Sequence, residues 1–563
     1  MNLSISKLSC CALFFFIFNT VFAQTKTQRL TYNPQFLLAQ EAQLYSMDSN
    51  QVFHTSIRPY RPIDLVEFID PKHLSDSYKA MPLRSKFQRR FFHEDVIQYV
   101  NVAQGFDIRI NPLFNFELIA DKSMGEFYSA DAANEKKAGI VNTRGVQVLG
   151  QLGKRFSFYT EVTENQIEVP GYVKDWSFQH DYVLPGQGSP ESFNSDKDVY
   201  DLFQASGYFQ YKSKNYFTFE FGQGNHFIGD GYRSLILSDN AINYPYLKIQ
   251  TQFGKVKYMN LYTKFLDVNP SEDDANHYSK WSAMHYLTFN LGKRWSFGLF
   301  EATIWGDREN QRGYDVGYLN PLIFYRSLEF SNGSEGTNVL IGGTVQFRTG
   351  SKSALYGQFI LDEFTLSELT KANGYWGNKF GFQGGFKVYD FLAIPKFNLR
   401  TEVNLVRPFT YSHEVSNDPD LGGLSNYGHL NQGLAHPLGS NFIEWMSTAS
   451  YQYKRWLVNG QLMMATKGYN PDGQNIGGDI YDSYVSRSSH YGIEFLGGNK
   501  TSITAISGKL AYLINPSYQF KIEAGLMLRN ISPEVETDAL KTRNDAIFTF
   551  GIKTDLFKKS YDF

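Results

Sequence analysis

The amino-acid sequence predicts an all-β protein, a transmembrane antiparallel β-barrel of about 18 strands, and three observations carry that prediction. First, apolar and polar residues alternate. Phe397, Leu399, Thr401, Val403 and Leu405 interleave with Asn398, Arg400, Glu402 and Asn404, and Phe548, Phe550 and Ile552 interleave with Thr549, Gly551 and Lys553. Side chains alternate faces along a strand, so one set can meet lipid while the other stays in a wet lumen. Second, tight turns and long polar stretches take turns along the chain. Third, aromatic residues make up 16% of the 563 residues, with 48 Phe and 37 Tyr, an excess that interfacial girdles absorb.

The first 23 residues read as a secretory signal: Lys7, the apolar stretch Leu8 to Phe18, then Val21-Phe22-Ala23 before Gln24. The expected destination is the outer membrane. Both cysteines, Cys10 and Cys11, fall inside this segment, so the exported chain is expected to hold neither a disulfide nor a cysteine-ligated metal. After it, no apolar run reaches the length of a membrane-spanning helix. A barrel needs none, because its backbone groups pair between strands and its apolar residues occupy alternate positions, consistent with a mean hydropathy of -0.36. With 54 basic against 56 acidic residues, no nucleic-acid partner is expected.

Residues 24–104 differ from the rest and predict a small helical module on the periplasmic side. Pro34 to Leu44 follows a capping Asn33, and Leu83 to Tyr99 mixes Phe87, Phe91 and Phe92 with Arg84, Lys86, Arg89 and Arg90 at helical spacing. Residues 105–563 form the barrel. Its tight turns are expected at Leu152 to Arg155, Lys212 to Asn215, Phe253 to Lys255, Leu291 to Arg294, Thr349 to Ser353, Tyr389 to Pro395, Lys454-Arg455 and Asn515 to Ser517. Between them lie long polar stretches at 121–142, 166–199, 226–243, 267–279, 306–337, 364–377, 407–440, 467–489 and 530–543. Bacterial barrels carry short periplasmic turns and long external loops, so this rhythm sets both strand number and orientation. Gly497-Gly498-Asn499 marks one further place where a strand could break. The last alternating stretch, with Tyr561 and Phe563, resembles the signal by which barrels are handed to the outer-membrane assembly machinery, the strand ending at Phe557 or Phe563.

No Gly-x-Ser-x-Gly elbow, His-Glu-x-x-His helix or phosphate-cradling loop is present, so neither catalysis, a cofactor nor a metal site is expected. The densest unusual segment is Phe221 to Tyr246. Its His226, Asp230, Tyr232, Arg233, Asp239 and Asn240 combine planar donors, acceptors and a flat ring, a set suited to a polyhydroxyl ligand. The competing reading is a loop folded into the lumen, where Arg and Asp satisfy one another. A second cluster holds Tyr318, Asn320, Tyr325 and Arg326, with Pro321 placing it in a loop or at a strand rim; it too can bind glycan or pack the lumen. Trp305, Tyr375 and Trp376 are expected near the outer rim as interface anchors, with sugar stacking as the alternative.

Three strings carry a family resemblance. Gly222-Gln223-Gly224 followed by His226 to Ala241, Gly317 to Arg326, and Phe53 to Tyr60 together resemble the Wzi-like capsule-assembly barrels and most closely their gliding-motility, RemB-like relatives. The resemblance implies an 18-stranded outer-membrane barrel with N-terminal helices at its periplasmic end, non-catalytic and engaged with surface polysaccharide or cell movement. Expected partners are outer-membrane lipid, surface polysaccharide, and motility or adhesin proteins. A diffusion channel or transporter is the main alternative, an outer-membrane lipid hydrolase a weaker one. Within Phe397 to Leu405 the alternation also makes Arg400→Leu, on the wet face, far milder than Leu399→Arg on the lipid face.

Overall fold

The computed structural model describes residues 41–42, 44–45, 53–61, 85–101, 103–121, 138–153, 155–194, 199–213, 216–268, 277–307, 313–324, 337–413, 425–554 and 561–563. The signal segment and most of the Pro34 to Leu44 stretch lie outside them. Eighteen antiparallel strands close into one barrel. In chain order they are β1 Phe106–Asp121, β2 Ala138–Leu152, β3 Phe156–Ile167, β4 Val199–Lys212, β5 Phe217–Gly224, β6 Tyr244–Phe253, β7 Val256–Asp267, β8 Tyr278–Leu291 and β9 Trp295–Asp307. The circle continues with β10 Thr337–Arg348, β11 Ser353–Glu363, β12 Lys379–Val388, β13 Phe397–Val406, β14 Phe442–Tyr453, β15 Trp456–Tyr469, β16 Asn499–Asn515, β17 Phe520–Pro533 and β18 Arg543–Lys553. The tight turns and the other long loops fall where the sequence places them; the loop after β15, expected over 467–489, runs on to Gly498, so Gly497-Gly498 precede β16 rather than breaking a strand.

The turns explain themselves locally. Gly153 and Gly292, each in a Leu-Gly-Lys-Arg string, sit at φ 64°, and Gly254 at φ 55°, backbone conformations that cost side-chain-bearing residues energy and glycine none. At the same end the outward rings form cross-strand pairs: Tyr216 with Phe253 at 4.4 Å, Trp295 with Phe347 at 4.4 Å and Trp456 with Tyr512 at 5.0 Å. They form an aromatic girdle at the short-turn end, which in bacterial barrels is the periplasmic one. Closure joins β18 to β1 from Asn115 to Asp121. Where β18 has ended, Ile97–Asn101 pairs with β1 from Phe106 to Ile110 and completes the seam.

That strand corrects the reading of Leu83 to Tyr99 as one helix. Among the described residues of that stretch only Lys86–Phe92 is helical (α1), opened by a capping box between Ser85 and Gln88; beyond it Ile97, Tyr99 and the β-branched Val100 follow the sheet, since an unpaired edge of β1 offers them hydrogen bonds. The helix is pinned at the short-turn end, where the Asn515 side-chain amide donates to the carbonyls of Arg90, Phe91 and Glu94. The segment Phe53 to Arg61, by contrast, lies inside the barrel. Its Ile57–Arg58 forms a two-stranded antiparallel ladder with Phe227–Ile228.

β18 ends at Lys553, and Phe557 lies outside the described residues. Tyr561, Asp562 and Phe563 are not in the wall at all: the Asp562 carboxylate accepts from Tyr232 at 2.5 Å, and the Phe563 ring lies 5.8 Å from that of Tyr172. Trp305 and Trp376 are also not anchors facing lipid, being 0% and 8% exposed beneath neighbouring loops.

Along β13 the faces are as the alternation requires, with Asn398, Arg400, Glu402 and Asn404 buried in the lumen and Val403 exposed outward. The expectation that Arg400 is easily replaced is reversed, however, because its guanidinium meets the Glu41 carboxylate at 2.8 Å with both groups buried. Val403→Arg should cost about 2 to 4 kcal/mol for a cation near the bilayer midplane. Arg400→Leu should cost about 3 kcal/mol, the low end for a broken buried pair because Lys387 remains 3.4 Å from Glu41. Unfolding midpoints in lipid would check both, and a neutral Arg400→Leu would contradict the lumenal pairing.

Candidate functional site: a filled lumen beneath an external cavity

The loop between β5 and β6 turns into the barrel instead of out into water. Leu235, Ile236 and Leu237 are fully buried, and with Ile57 they join a hydrophobic cluster whose wall members run from Leu149 on β2 through Met284, Phe300, Ile360 and Phe442 to Ile531 on β17. Two glycines permit the close approach. Gly229, at φ 141°, has no room for a side chain, since an added Cβ would lie 1.8 Å from the Gln358 amide nitrogen; at Gly231 it would lie 2.7 Å from Glu402 Oε2. The loop backbone is held by wall side chains, with Glu402 accepting from the Tyr232 and Arg233 N–H groups at 2.8 and 2.9 Å.

Several charges inside the lumen are ion-paired in this region. Arg233 bridges Glu444 on β14 at 3.2 Å and Asp562 at 3.3 Å. Asp230 accepts from Lys387 at 3.0 Å and from Thr55 at 2.6 Å. Arg61 and Lys248 both meet Glu220, at 2.5 and 2.8 Å. His226 packs edge-on against Tyr246 at 4.3 Å, its backbone N–H donating to Tyr244. Asn240 donates to the Gly433 carbonyl at 3.0 Å, and Asp239 lies beside it, lining a small pocket with Tyr232, Arg233 and Asp562. Thus His226, Asp230, Tyr232, Arg233, Asp239 and Asn240 do come together, with His226, Asp230, Tyr232 and Arg233 buried as the lumen's own packing.

The second cluster is elsewhere. Tyr318 stacks on Trp305 at 4.3 Å, and Trp305 projects from the outward face of β9, opposite to lumenal Phe300, Ala302 and Ile304. The Asn320 side chain accepts from the Leu322 N–H at 3.1 Å. Neither residue shares a site with the lumenal loop, and Tyr325 and Arg326 lie outside the described residues. A polar loop has the same composition whether it enters the lumen, faces water or lies along the wall, so sequence left the three open.

Over the filled lumen, at the long-loop end, opens a cavity of about 660 Å³. One side is the helix Gly171–Gln179 (α2), which presents Tyr172, Asp175, Trp176 and Gln179; the other is the loop after β15, with Asn470, Asp479, Tyr481 and Asp482. Trp176 lies flat against His180, ring centres 3.9 Å apart. Burial pushes the His180 imidazole below its ordinary range, so it is neutral at pH 7 and stacks without a charge to solvate. Burial, then the neighbouring Asp479, pushes the Asp482 carboxyl up. Lys467, in the floor, is fully engaged, donating to the carbonyls of Leu438, Ser440 and Gly478. α2 was missed by sequence reading, which took 166–199 as loop. The Tyr172 to Trp176 spacing after Pro170 was its one local signal, and Pro170 indeed holds the N-cap position.

A closed barrel with this girdle, lumen and external cap defines an outer-membrane β-barrel protein. The chain is similar to Wzi of Escherichia coli, an outer-membrane protein involved in group 1 capsule assembly and solved as a carbohydrate-binding β-barrel: TM-score 0.53, 14% identity, covering 94% of this chain and 100% of that one. It is also similar to Pseudomonas aeruginosa OpdK with vanillate, at TM-score 0.43, 7% identity, 80% of this chain and 98% of that one, and to P. aeruginosa OprD, at TM-score 0.40, 8% identity, 80% and 93%. At such identities the likeness shows the fold alone. No protein-family model and no curated protein sequence matches the chain.

Arg233→Ala leaves Glu444 and Asp562 without their shared cation, at an expected cost of roughly 3 to 5 kcal/mol. The fraction resisting heat unfolding in detergent gels should fall, and Arg233→Lys should restore part of it. Unchanged heat resistance in Arg233→Ala would show that the pairing does not hold the loop.

Proposed function

We propose that this barrel is a non-catalytic surface-glycan protein of the outer membrane, in which the external cavity holds a segment of polysaccharide. The observation that carries the reading is the cavity's lining: rings at Tyr172, Trp176 and Tyr481 beside Gln179, Asn470, Asp479 and Asp482. Flat apolar faces next to amides and carboxylates match the mixed C–H and O–H surfaces of a sugar ring. The carbohydrate binding of Wzi, a barrel of similar fold, supports the same class of ligand. The six candidates of the β5–β6 loop act in this reading as the support beneath the cavity, with Asn240 alone among them reaching its lining.

Two biological settings follow from a bound surface glycan, organisation of capsule or exopolysaccharide and cell movement over surfaces, as in the gliding-motility branch the sequence resembles. Deleting the gene and scoring both capsule staining and colony spreading separates them.

The molecular reading is tested on purified, folded variants with polysaccharide extracted from the producing cells. Trp176→Ala should weaken binding about tenfold, equivalent to about 1.4 kcal/mol, and Asp482→Asn should weaken it with the heat-resistant fraction unchanged. Wild-type affinity in both folded variants would retire the cavity as the glycan site.

A further inference from the structure

The loop between β9 and β10 does something unusual for a barrel: it runs back down the outside of the wall. Its Gly313 N–H donates to Asp307 at the loop end of β9, at 2.7 Å. Further on, the Leu319 carbonyl accepts from Tyr262 at 3.1 Å, and the Pro321 carbonyl accepts from Tyr258, the third residue of β7 after its tight turn. The Phe324 N–H then donates to Glu301 at 2.7 Å. Asp307 lies level with Ser279 and Leu266 across the ladders, so these anchors span eight residue steps from Leu266 to Tyr258. That is roughly 27 Å of strand. Tilted as barrel strands are, it covers most of an apolar band about 25 Å tall.

The wall beneath is polar where a lipid-facing wall should be apolar. Asn260, His285 and Glu301 stand opposite one another on β7, β8 and β9, and all three belong to the outward face, since Met259, Leu261, Met284, Phe300 and Ala302 point inward. His285 and Glu301 face each other at 3.5 Å, and neither is exposed. Groups of this kind at mid-membrane depth are unfavourable in contact with lipid. The overlying segment removes them from it. Its own outer surface is apolar: Val316 is 76% and Leu322 60% exposed, with Leu319 and Phe324 beside them. Leu299 on β9 and Leu291 on β8 continue the same outward belt.

We infer that residues 313–324 are a strap lying within the bilayer, and that the partner of its outer side chains is the acyl-chain layer of the membrane. The inference is independent of glycan binding. Val316 and Leu322 take the place that wall side chains hold elsewhere, while Tyr318 packs inward on Trp305 and Tyr262.

Spin labels at Val316→Cys and Leu322→Cys, on a background lacking Cys10 and Cys11, test this in the heat-resistant folded protein in phospholipid bilayers. Both labels should be relaxed by oxygen and shielded from a water-soluble nickel chelate, with an oxygen-to-nickel ratio several-fold above that of a label at Asp538→Cys in the exposed β17–β18 loop. Nickel relaxation at Leu322 equal to that at Asp538 would place the segment in water. Shielding from both reagents would place it against protein. Either result overturns the proposal.

Discussion

Ionised groups can be kept inside a barrel only if each finds a partner of opposite charge or a full set of hydrogen bonds, because the lumen offers them little water once it is filled. The interior of this protein is organised around that constraint. The wall carries Glu220, Lys248, Lys387, Arg400, Glu402 and Glu444 inward, and the segments threaded through the lumen return the complementary charges: Glu41 to Arg400, Arg61 to Glu220, Asp230 to Lys387 and Arg233 to Glu444. Such pairs contribute little net stability compared with apolar packing, but breaking one leaves a charge stranded. They therefore specify which segment lies against which wall, while the drive to fill the lumen comes from Leu235, Ile236 and Leu237 meeting apolar side chains from most of the circumference.

A filled lumen leaves the end of the barrel as the open part of the interior. The long loops cannot collapse inward, so they stack on the plug and leave a cavity between α2 and the β15–β16 loop. The contacts crossing this region tie distant parts of the chain together: Gly186 donates to Gln432 at 2.6 Å, and Tyr561 accepts from Gln187 at 2.6 Å. Such cross-links hold the rings and carboxylates that line the cavity in place, and a site ordered in advance lowers the ordering cost of binding.

The barrel was legible in the sequence because its causes are local. Period-two alternation at Phe397 to Leu405 and at Phe548 to Ile552 fixes faces, and Gly153, Gly254 and Gly292 fix turns, each within a few residues. The destinations of the loops were not legible in the same way. Arg233 and Asp230 find partners 211 and 157 residues away, at Glu444 and Lys387, and no local pattern announces such pairings. The strap is the sharpest case. Glu301 and His285 interrupt the outward faces of β9 and β8, and that interruption is a readable sign that something covers the wall, although only the folded chain identifies the cover as the segment containing Tyr318 and Leu319.

The central claim is that the lumen is filled by the ion-paired β5–β6 loop, which closes the axis of the barrel to solutes and leaves the outer face as the place for the ligand we propose. Single-molecule conductance of the full chain in planar bilayers tests it most directly. Wild-type protein inserted from detergent should show no stable open-channel steps, whereas a variant with Leu235, Ile236 and Leu237 all replaced by Gly, loosening the plug, should show them. Steady ohmic conductance from the wild-type barrel, unchanged by that replacement, would contradict the account.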